Sequence, residues 1–507
     1  MTAKTLTVLG TSSSVGKSLL VAAFCRVFTR RGLRVAPFKA QNMSNNAAVC
    51  PDGSEIGRAQ AVQALAAGAS LSADLNPILI KPEADTRSQV IVMGKPFKTL
   101  AAASYYDYKE TLWSFVTSAL DRLRSEYDLV IIEGAGSPVE LNLKAGDIVN
   151  MAVARYAESP VLLVGDIDRG GIFAQLLGTL WLLEPEERAL VRGLLVNKFR
   201  GDPALFEDGV RILEQRSGLP VMGVIPYLKD LRIPEEDAVA LENLTTSDLG
   251  MEKAEIEIAV IHLPRISNFD DFDPLSAEPG VRVRYVHSVE ELGNPQAILL
   301  PGTKSTAADL DWLRSTGLAE RLAAHARGGG ALGGVCGGYQ MLGETIHDPE
   351  RIESRQAGIP GLGLLPVETE FIWEKSTYQA QARVIQGPGW LASLEGEEIK
   401  GYEIHMGRTH GGTSWLEIER RNGQAVRVLD GAVSADGRVW GCYLHGLFGN
   451  VLLRRAWLKS LGWHGEAEDQ PAADPLQAEF DRMADEVEEA IGTDHLDRML
   501  SWQQVPH

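Results

Sequence analysis

The stretch Leu6-Thr-Val-Leu-Gly-Thr-Ser-Ser-Ser-Val-Gly-Lys-Ser-Leu-Leu20 reads as strand, loop and helix. Leu6 to Leu9 form an apolar run suited to a buried strand, and Leu19, Leu20, Val21, Phe24, Val27 and Phe28 recur at helical spacing after Gly16-Lys17-Ser18. Such a loop is an anion cradle. Its backbone N–H groups converge on phosphate oxygens at a helix N-terminus, Lys17 reaches the β/γ-phosphates, and the Ser18 hydroxyl suits Mg²⁺. Gly10 and Gly16 are one residue further apart than in the usual P-loop, so Thr11 takes the place of the first glycine. ATP and Mg²⁺ are the expected ligands.

Outward from this loop, the chain repeats strand and helix. Leu33 to Ala36 is a second strand, leading into Pro37-Phe-Lys-Ala-Gln-Asn-Met-Ser-Asn-Asn46, where Lys39 offers a second cation at the edge of a parallel sheet. Gly57 to Leu71 is alanine-rich and reads as helix. Leu129 to Ile132 is a strand that delivers Glu133 into Gly134-Ala-Gly136, a carboxylate placed to share a metal ion with Ser18. Asp147 either lines the same crevice on the substrate side or caps the following helix. Strands at Pro160–Val164, Gly193–Val196 and Val221–Ile225 continue the alternation, and Asn197-Lys198 follows a strand end, where it could read the adenine. Strands separated by helical lengths predict a doubly wound parallel sheet.

A second series opens with Ile256–Ile261, Val281–Tyr285 and Ala297–Thr303. It culminates in Gly328-Gly-Gly-Ala-Leu-Gly-Gly-Val-Cys-Gly-Gly-Tyr-Gln-Met-Leu342. Here a short strand turns sharply at Cys336 into a helix. This is a nucleophile elbow, in which the helix N-terminus favours thiolate. The N–H of Gly337 and the loop at Gly302 are candidate oxyanion donors. Two histidines are candidate bases, His405 and His445. A strand from Val439 to Leu444 would present His445 at its end, so His445 is preferred. It lacks the His-x-Glu that often orients such an imidazole, which leaves either a dyad or an orienting residue from elsewhere.

The expected fold is α/β with two doubly wound domains. Residues 1–240 form a P-loop amide-synthetase domain, 252–450 a glutaminase domain, and 451–507 a helical tail packed on the body. The 507 residues carry a net charge of −19, which disfavours nonspecific binding of nucleic acid or anionic membrane. No transmembrane run or signal peptide is visible, and the four widely spaced cysteines suit reduced thiols, so a cytoplasmic enzyme is expected.

The P-loop variant is similar to that of dethiobiotin synthetases and partition ATPases. The motifs Pro37–Asn46, Asp166-Ile-Asp-Arg-Gly-Gly171, Asn197-Lys-Phe-Arg-Gly-Asp202, Gly334-Val-Cys-Gly-Gly-Tyr-Gln340 and Gly401-Tyr-Glu-Ile-His-Met-Gly407 together resemble the cobyric acid synthases. These are glutamine-dependent amidotransferases of cobalamin biosynthesis. The resemblance runs from the first strand to about Phe448. It implies ATP- and L-glutamine-dependent amidation of the b, d, e and g carboxylates of adenosylcobyrinic acid a,c-diamide. It also implies a class I glutaminase with Cys336 as nucleophile and His445 as base. Two alternatives are a cobyrinic acid a,c-diamide synthase, which acts on other carboxylates, and a partition-type ATPase switch, which has no use for the Cys336 elbow.

Overall fold

Six strands alternate with helices in the first half because each is built on a short apolar run bounded by glycine or polar residues. In the computed structural model they lie parallel in the order Val221–Pro226, Val191–Phe199, Val161–Asp166, Lys4–Gly10, Leu129–Glu133, Val35–Phe38. The structure describes residues 2–84, 87–101, 108–229, 231, 233–234, 254–354, 356–465 and 475–502. The P-loop strand sits mid-sheet, with the two strands that follow it in this sheet on one side and the last three on the other. Its C-terminal end is therefore the crevice of a doubly wound fold. The expected boundary between residues 240 and 252 lies outside the described residues.

The second sheet runs Val281–Val286, Ile256–Ile261, Ala297–Leu300, Ala331–Val335, Val439–Cys442, Ala432–Val433, parallel except for the last pair. The elbow strand Ala331–Val335 is again internal. Between it and Val439–Cys442 the chain makes a feature that the sequence reading did not contain. Val367–Val384 and Glu398–Gly411 pair as a long antiparallel hairpin, flanked by shorter strands. A small four-stranded sheet, Gln41–Met43, Ile78–Ala84, Arg87–Val92 and Lys95–Ala101, is a second addition.

These two additions meet. Ala47, Val49, Leu79 and Ile91 of the first half pack with Tyr402 and Ile404 of the hairpin in one buried cluster. Polar clasps surround it. The Asn268 N–H donates to Asn46 Oδ1 (2.7 Å), and the Ala47 N–H donates to Asn268 Oδ1 (3.0 Å). Glu55, wholly buried, is held by Lys81 and Lys375, one ammonium from each half. Burial opposes the charge on Glu55, but the two lysines outweigh it and bring its pKa down to about 2. Burial also holds Lys375 down to about 8, since it shares the carboxylate with Lys81. A depressed carboxylate contributes stability above its unfolded value of 4.5, and loses it as pH falls through that value toward about 2. Urea midpoints should therefore fall more steeply between pH 5 and pH 3 in the wild type than in Glu55→Gln. Parallel pH dependences would refute the assignment.

The tail divides between the halves. Leu453, Trp457, Leu458 and Trp463 join the core of the second half. The helices Pro475–Ile491 and Thr493–Ser501 instead return to the first sheet, where Phe480, Met483, Val487, Ile491, Leu496 and Met499 bury in the core of the P-loop helix Lys17–Arg30, beside the strand Val221–Pro226. Arg26 pairs with Asp481 (2.8 Å), and Arg31 with Glu488 and Asp497 (both 2.8 Å). The tail is thus not one element packed on the body. Its last part completes the nucleotide-binding half.

Candidate active sites

At the P-loop, Gly16 caps the helix Lys17–Arg30 with φ 94°, and a Cβ there would lie 2.4 Å from Asn197 Nδ2. Glycine is required on both counts. Asn197 donates to the Val15 carbonyl (2.8 Å), and Lys198 to the Ser14 carbonyl (2.6 Å) and Asp166 (3.0 Å). The Asn-Lys pair thus buttresses the loop. Lys17 Nζ donates to the carbonyls of Ser12 (3.0 Å) and Gly136 (3.1 Å), and Thr11 Oγ1 to Gln175 (3.2 Å). A Cβ on Gly10 would meet Val15 at 2.5 Å and Lys17 Nζ at 2.9 Å.

Glu133 is the hub. Its Oε1 accepts from Ser18 Oγ (2.8 Å) and Lys39 Nζ (3.0 Å), and its Oε2 from Gln63 Nε2 (2.5 Å). Gln63 also donates to the Ser18 carbonyl (3.2 Å) and was not foreseen. Among the described residues no group of three or more His, Cys, Asp or Glu is arranged to hold a metal ion. A protein cage is not what Mg²⁺ at a P-loop needs, because phosphates and water supply most of its oxygens. The hard oxygens of Ser18 and Glu133, 2.8 Å apart, fit that requirement.

Asp147 takes the second of its two expected roles. Its carboxylate accepts from the N–H groups of Val149 and Asn150 (both 2.9 Å) and Ala152 (3.2 Å), where it caps the helix Met151–Tyr156. Those bonds give the side chain a structural, capping role.

In the second half Cys336 has φ 53° and ψ −112°, the strained geometry of an elbow between strand and helix. Glycines make the turn possible. A Cβ on Gly338 would sit 2.1 Å from the Leu300 carbonyl oxygen, and one on Gly334 would sit 2.8 Å from the Gly338 backbone. Because a strand carbonyl cannot yield, Gly338→Ala should lower stability by about 1–3 kcal/mol, read as a drop in urea midpoint. An unchanged midpoint would mean that the elbow is not so tightly packed. Cys336 Sγ lies 3.5 Å from the Ile404 carbonyl and within hydrogen-bonding reach of His445.

His445 is buried, and its Nδ1 lies 2.7 Å from Asp271 Oδ2; Asp271 Oδ1 accepts from the Gly446 N–H (2.8 Å). Burial alone would lower the imidazole pKa, but Asp271 and the Cys336 sulfur reverse this and raise it to about 10. The orienting carboxylate left open by the sequence is thus Asp271, in the turn Phe269–Phe272. His405 faces the same cavity as Cys336, but its ring stacks on Tyr443 at 3.8 Å and its nitrogens meet Gly407 O (2.8 Å) and Glu403 (3.3 Å). The loop at Gly302 borders the elbow. A Cβ on Gly302 would come 3.0 Å from His445 Cε1, and one on Gly337 would come 2.7 Å from the Thr303 methyl. Asn45 and Lys81 of the first half also line this cavity.

A nucleotide-binding domain joined to a domain with a buried Cys–His–Asp set defines a glutamine-hydrolysing ligase, an amidotransferase. Comparison with known proteins agrees. Residues 6–240 match the CobQ/CobB/MinD/ParA nucleotide binding domain, and residues 257–452 the CobB/CobQ-like glutamine amidotransferase domain. A cobyric acid synthase of Roseiflexus castenholzii is 58% identical over 495 residues, 97% of this chain and 98% of that one. Those of Chloroflexus aggregans and Herpetosiphon aurantiacus are 57% and 53% identical, each over 99% of both chains. The chain belongs to the cobyric acid synthase family of cobalamin biosynthesis.

Proposed function

We propose that the protein amidates the b, d, e and g side-chain carboxylates of adenosylcobyrinic acid a,c-diamide, consuming ATP and L-glutamine at each step, in the cytoplasm. The observation that carries this is the joining of the Cys336–His445–Asp271 set to a P-loop whose Ser18 and Lys39 converge on Glu133. Whole-length relatives named cobyric acid synthase support the choice of substrate. Residues 1–240 and the two C-terminal helices would form the synthetase unit, and 252–465 the glutaminase.

A carboxylate is a poor acyl donor because its leaving group is oxide or hydroxide. Transfer of the γ-phosphoryl of ATP to it makes an acyl phosphate, and the residues needed are those that stabilise charge on that phosphoryl. Lys17 swings from its loop carbonyls to the phosphates, with Lys39 beside it. Gly10, Thr11 and Gly16 shape the cradle, and Asn197 holds it in place. Ser18 and Glu133 would hold Mg²⁺, which supplies charge neutralisation there. In the glutaminase, Cys336 attacks the side-chain amide and forms a thioester. Gly302 and Gly337 supply oxyanion donors, and His445, positioned by Asp271, moves the proton to the departing ammonia. Water then hydrolyses the thioester.

The test is mass spectrometry of the corrinoid after incubation of the protein with adenosylcobyrinic acid a,c-diamide, Mg-ATP and amide-¹⁵N glutamine. Four labelled amides are expected in a ladder of intermediates. Glutamine hydrolysis without incorporation would overturn the substrate assignment, beginning with a search among other cobyrinic acid carboxylates.

A further inference from the structure

The glutaminase set is bordered by a side chain from the other domain. Arg58 opens the helix Arg58–Ala67 of the nucleotide-binding half, and its backbone N–H is fixed on the Asn46 carbonyl (3.1 Å). Its side chain crosses the interface. Nη2 donates to the Tyr402 hydroxyl, Nε lies 3.1 Å from Asp270 Oδ2, and the guanidinium carbon stands 5.2 Å from the centre of the Tyr402 ring.

Both partners adjoin the imidazole. The Tyr402 ring stacks on His445 at 5.1 Å and 15°, and the two residues exchange backbone hydrogen bonds (2.9 and 3.1 Å). Asp270 precedes Asp271, the carboxylate on His445 Nδ1. Two adjacent carboxylates out of water repel each other. One buried guanidinium beside Asp270 offsets that repulsion and leaves Asp271 to the imidazole. The same cation tethers the phenol whose ring fixes the imidazole plane.

We propose that Arg58 is a positioning residue of glutamine hydrolysis, supplied by the nucleotide-binding domain, so that the Cys336–His445–Asp271 set is complete only when the two domains are joined. The proposal rests on the glutaminase assignment made above. The supplying helix is tied to both sites: five residues beyond Arg58, Gln63 holds Glu133 and the Ser18 carbonyl. Any shift of this helix at the P-loop is therefore also a shift at His445.

Glutamine hydrolysis should be measured on the full-length protein, with Cys336→Ser as the control that hydrolysis occurs at this site. Arg58→Ala is expected to lower kcat by roughly 10–100-fold, with KM for glutamine within about twofold. Added guanidinium chloride at non-denaturing concentration should restore part of the loss, and Arg58→Lys should lie between. Tyr402→Phe removes only the hydroxyl that Arg58 grips, and its loss should be less than additive with that of Arg58→Ala. An Arg58→Ala protein with wild-type kcat, or with a rise in KM alone, would overturn the proposal. So would additive losses in the double variant. If Cys336→Ser itself hydrolysed glutamine normally, the glutaminase assignment would fail first, and the two failures are distinguishable.

Discussion

Replacing Cys336 by serine is expected to abolish glutamine hydrolysis, by on the order of 10⁴-fold or more, while amidation with ammonium chloride persists. The elbow presents the sulfur at a helix N-terminus beside a buried imidazole, and nothing else in the cavity offers a comparable nucleophile: Cys442 is buried one strand away, and its own surroundings push its thiol pKa well up. A hydroxyl at the same place is a far weaker nucleophile near neutral pH. The ammonia-using step belongs to the P-loop half, where Lys17, Lys39 and Glu133 are untouched by the change. The check is amide formation with each nitrogen source at saturating ATP. A serine variant that used glutamine as well as the wild type does, or that lost ammonium-dependent amidation along with it, would contradict this division of labour.

Asp271→Asn should reduce glutamine hydrolysis by roughly 10²–10⁴-fold, although the side chain keeps its shape. The carboxylate performs two tasks at once, accepting from His445 Nδ1 and from the Gly446 N–H. An amide has only one oxygen. If that oxygen stays with the Gly446 N–H, the amide NH₂ faces Nδ1 and forces the imidazole proton onto Nε2, which removes the base that faces Cys336. The support for imidazolium also disappears, and the His445 pKa should drop from its raised value toward that of an ordinary histidine. Single-turnover hydrolysis followed from pH 6 to 9 would report this, and an unaltered rate and pH profile would exclude Asp271 from the set.

The parts of this protein that were legible in its sequence are those in which the chemistry is local. A strand, a glycine-shaped loop and Lys17-Ser18 lie within fifteen residues, as do a strand, Cys336 and the glycines that let the turn close. Both sheets followed from apolar runs at helix-length intervals. Asp271 was not legible, because it meets His445 across 174 residues and sits in a turn whose two aspartates look alike. Arg58 and Gln63 are ordinary members of an alanine-rich helix until the fold brings one to Asp270 and the other to Glu133. The hydrogen bond from Asn197 to the Val15 carbonyl was not legible either, because it joins residues 182 positions apart. A helical tail packed on the body was legible over 451–507, but a helical pattern names no destination. Charge offers a hint, since Arg26 and Arg30 on the P-loop helix and Arg31 just after it pair with Asp481, Asp485 and Glu488.

That destination has a consequence for the order in which the molecule is made. The helix that covers the P-loop helix begins at Pro475, about 445 residues after Arg30, and so leaves the ribosome long after it. At about 5–20 residues per second, the nascent nucleotide-binding half waits roughly 20–90 s with that apolar face uncovered while the glutaminase is translated. Ribosome-bound chains arrested before Pro475 should therefore be sensitive to proteases around Lys17–Arg30 and good clients for chaperones. Release of the last helices closes the first domain, so the half that is synthesised first matures last.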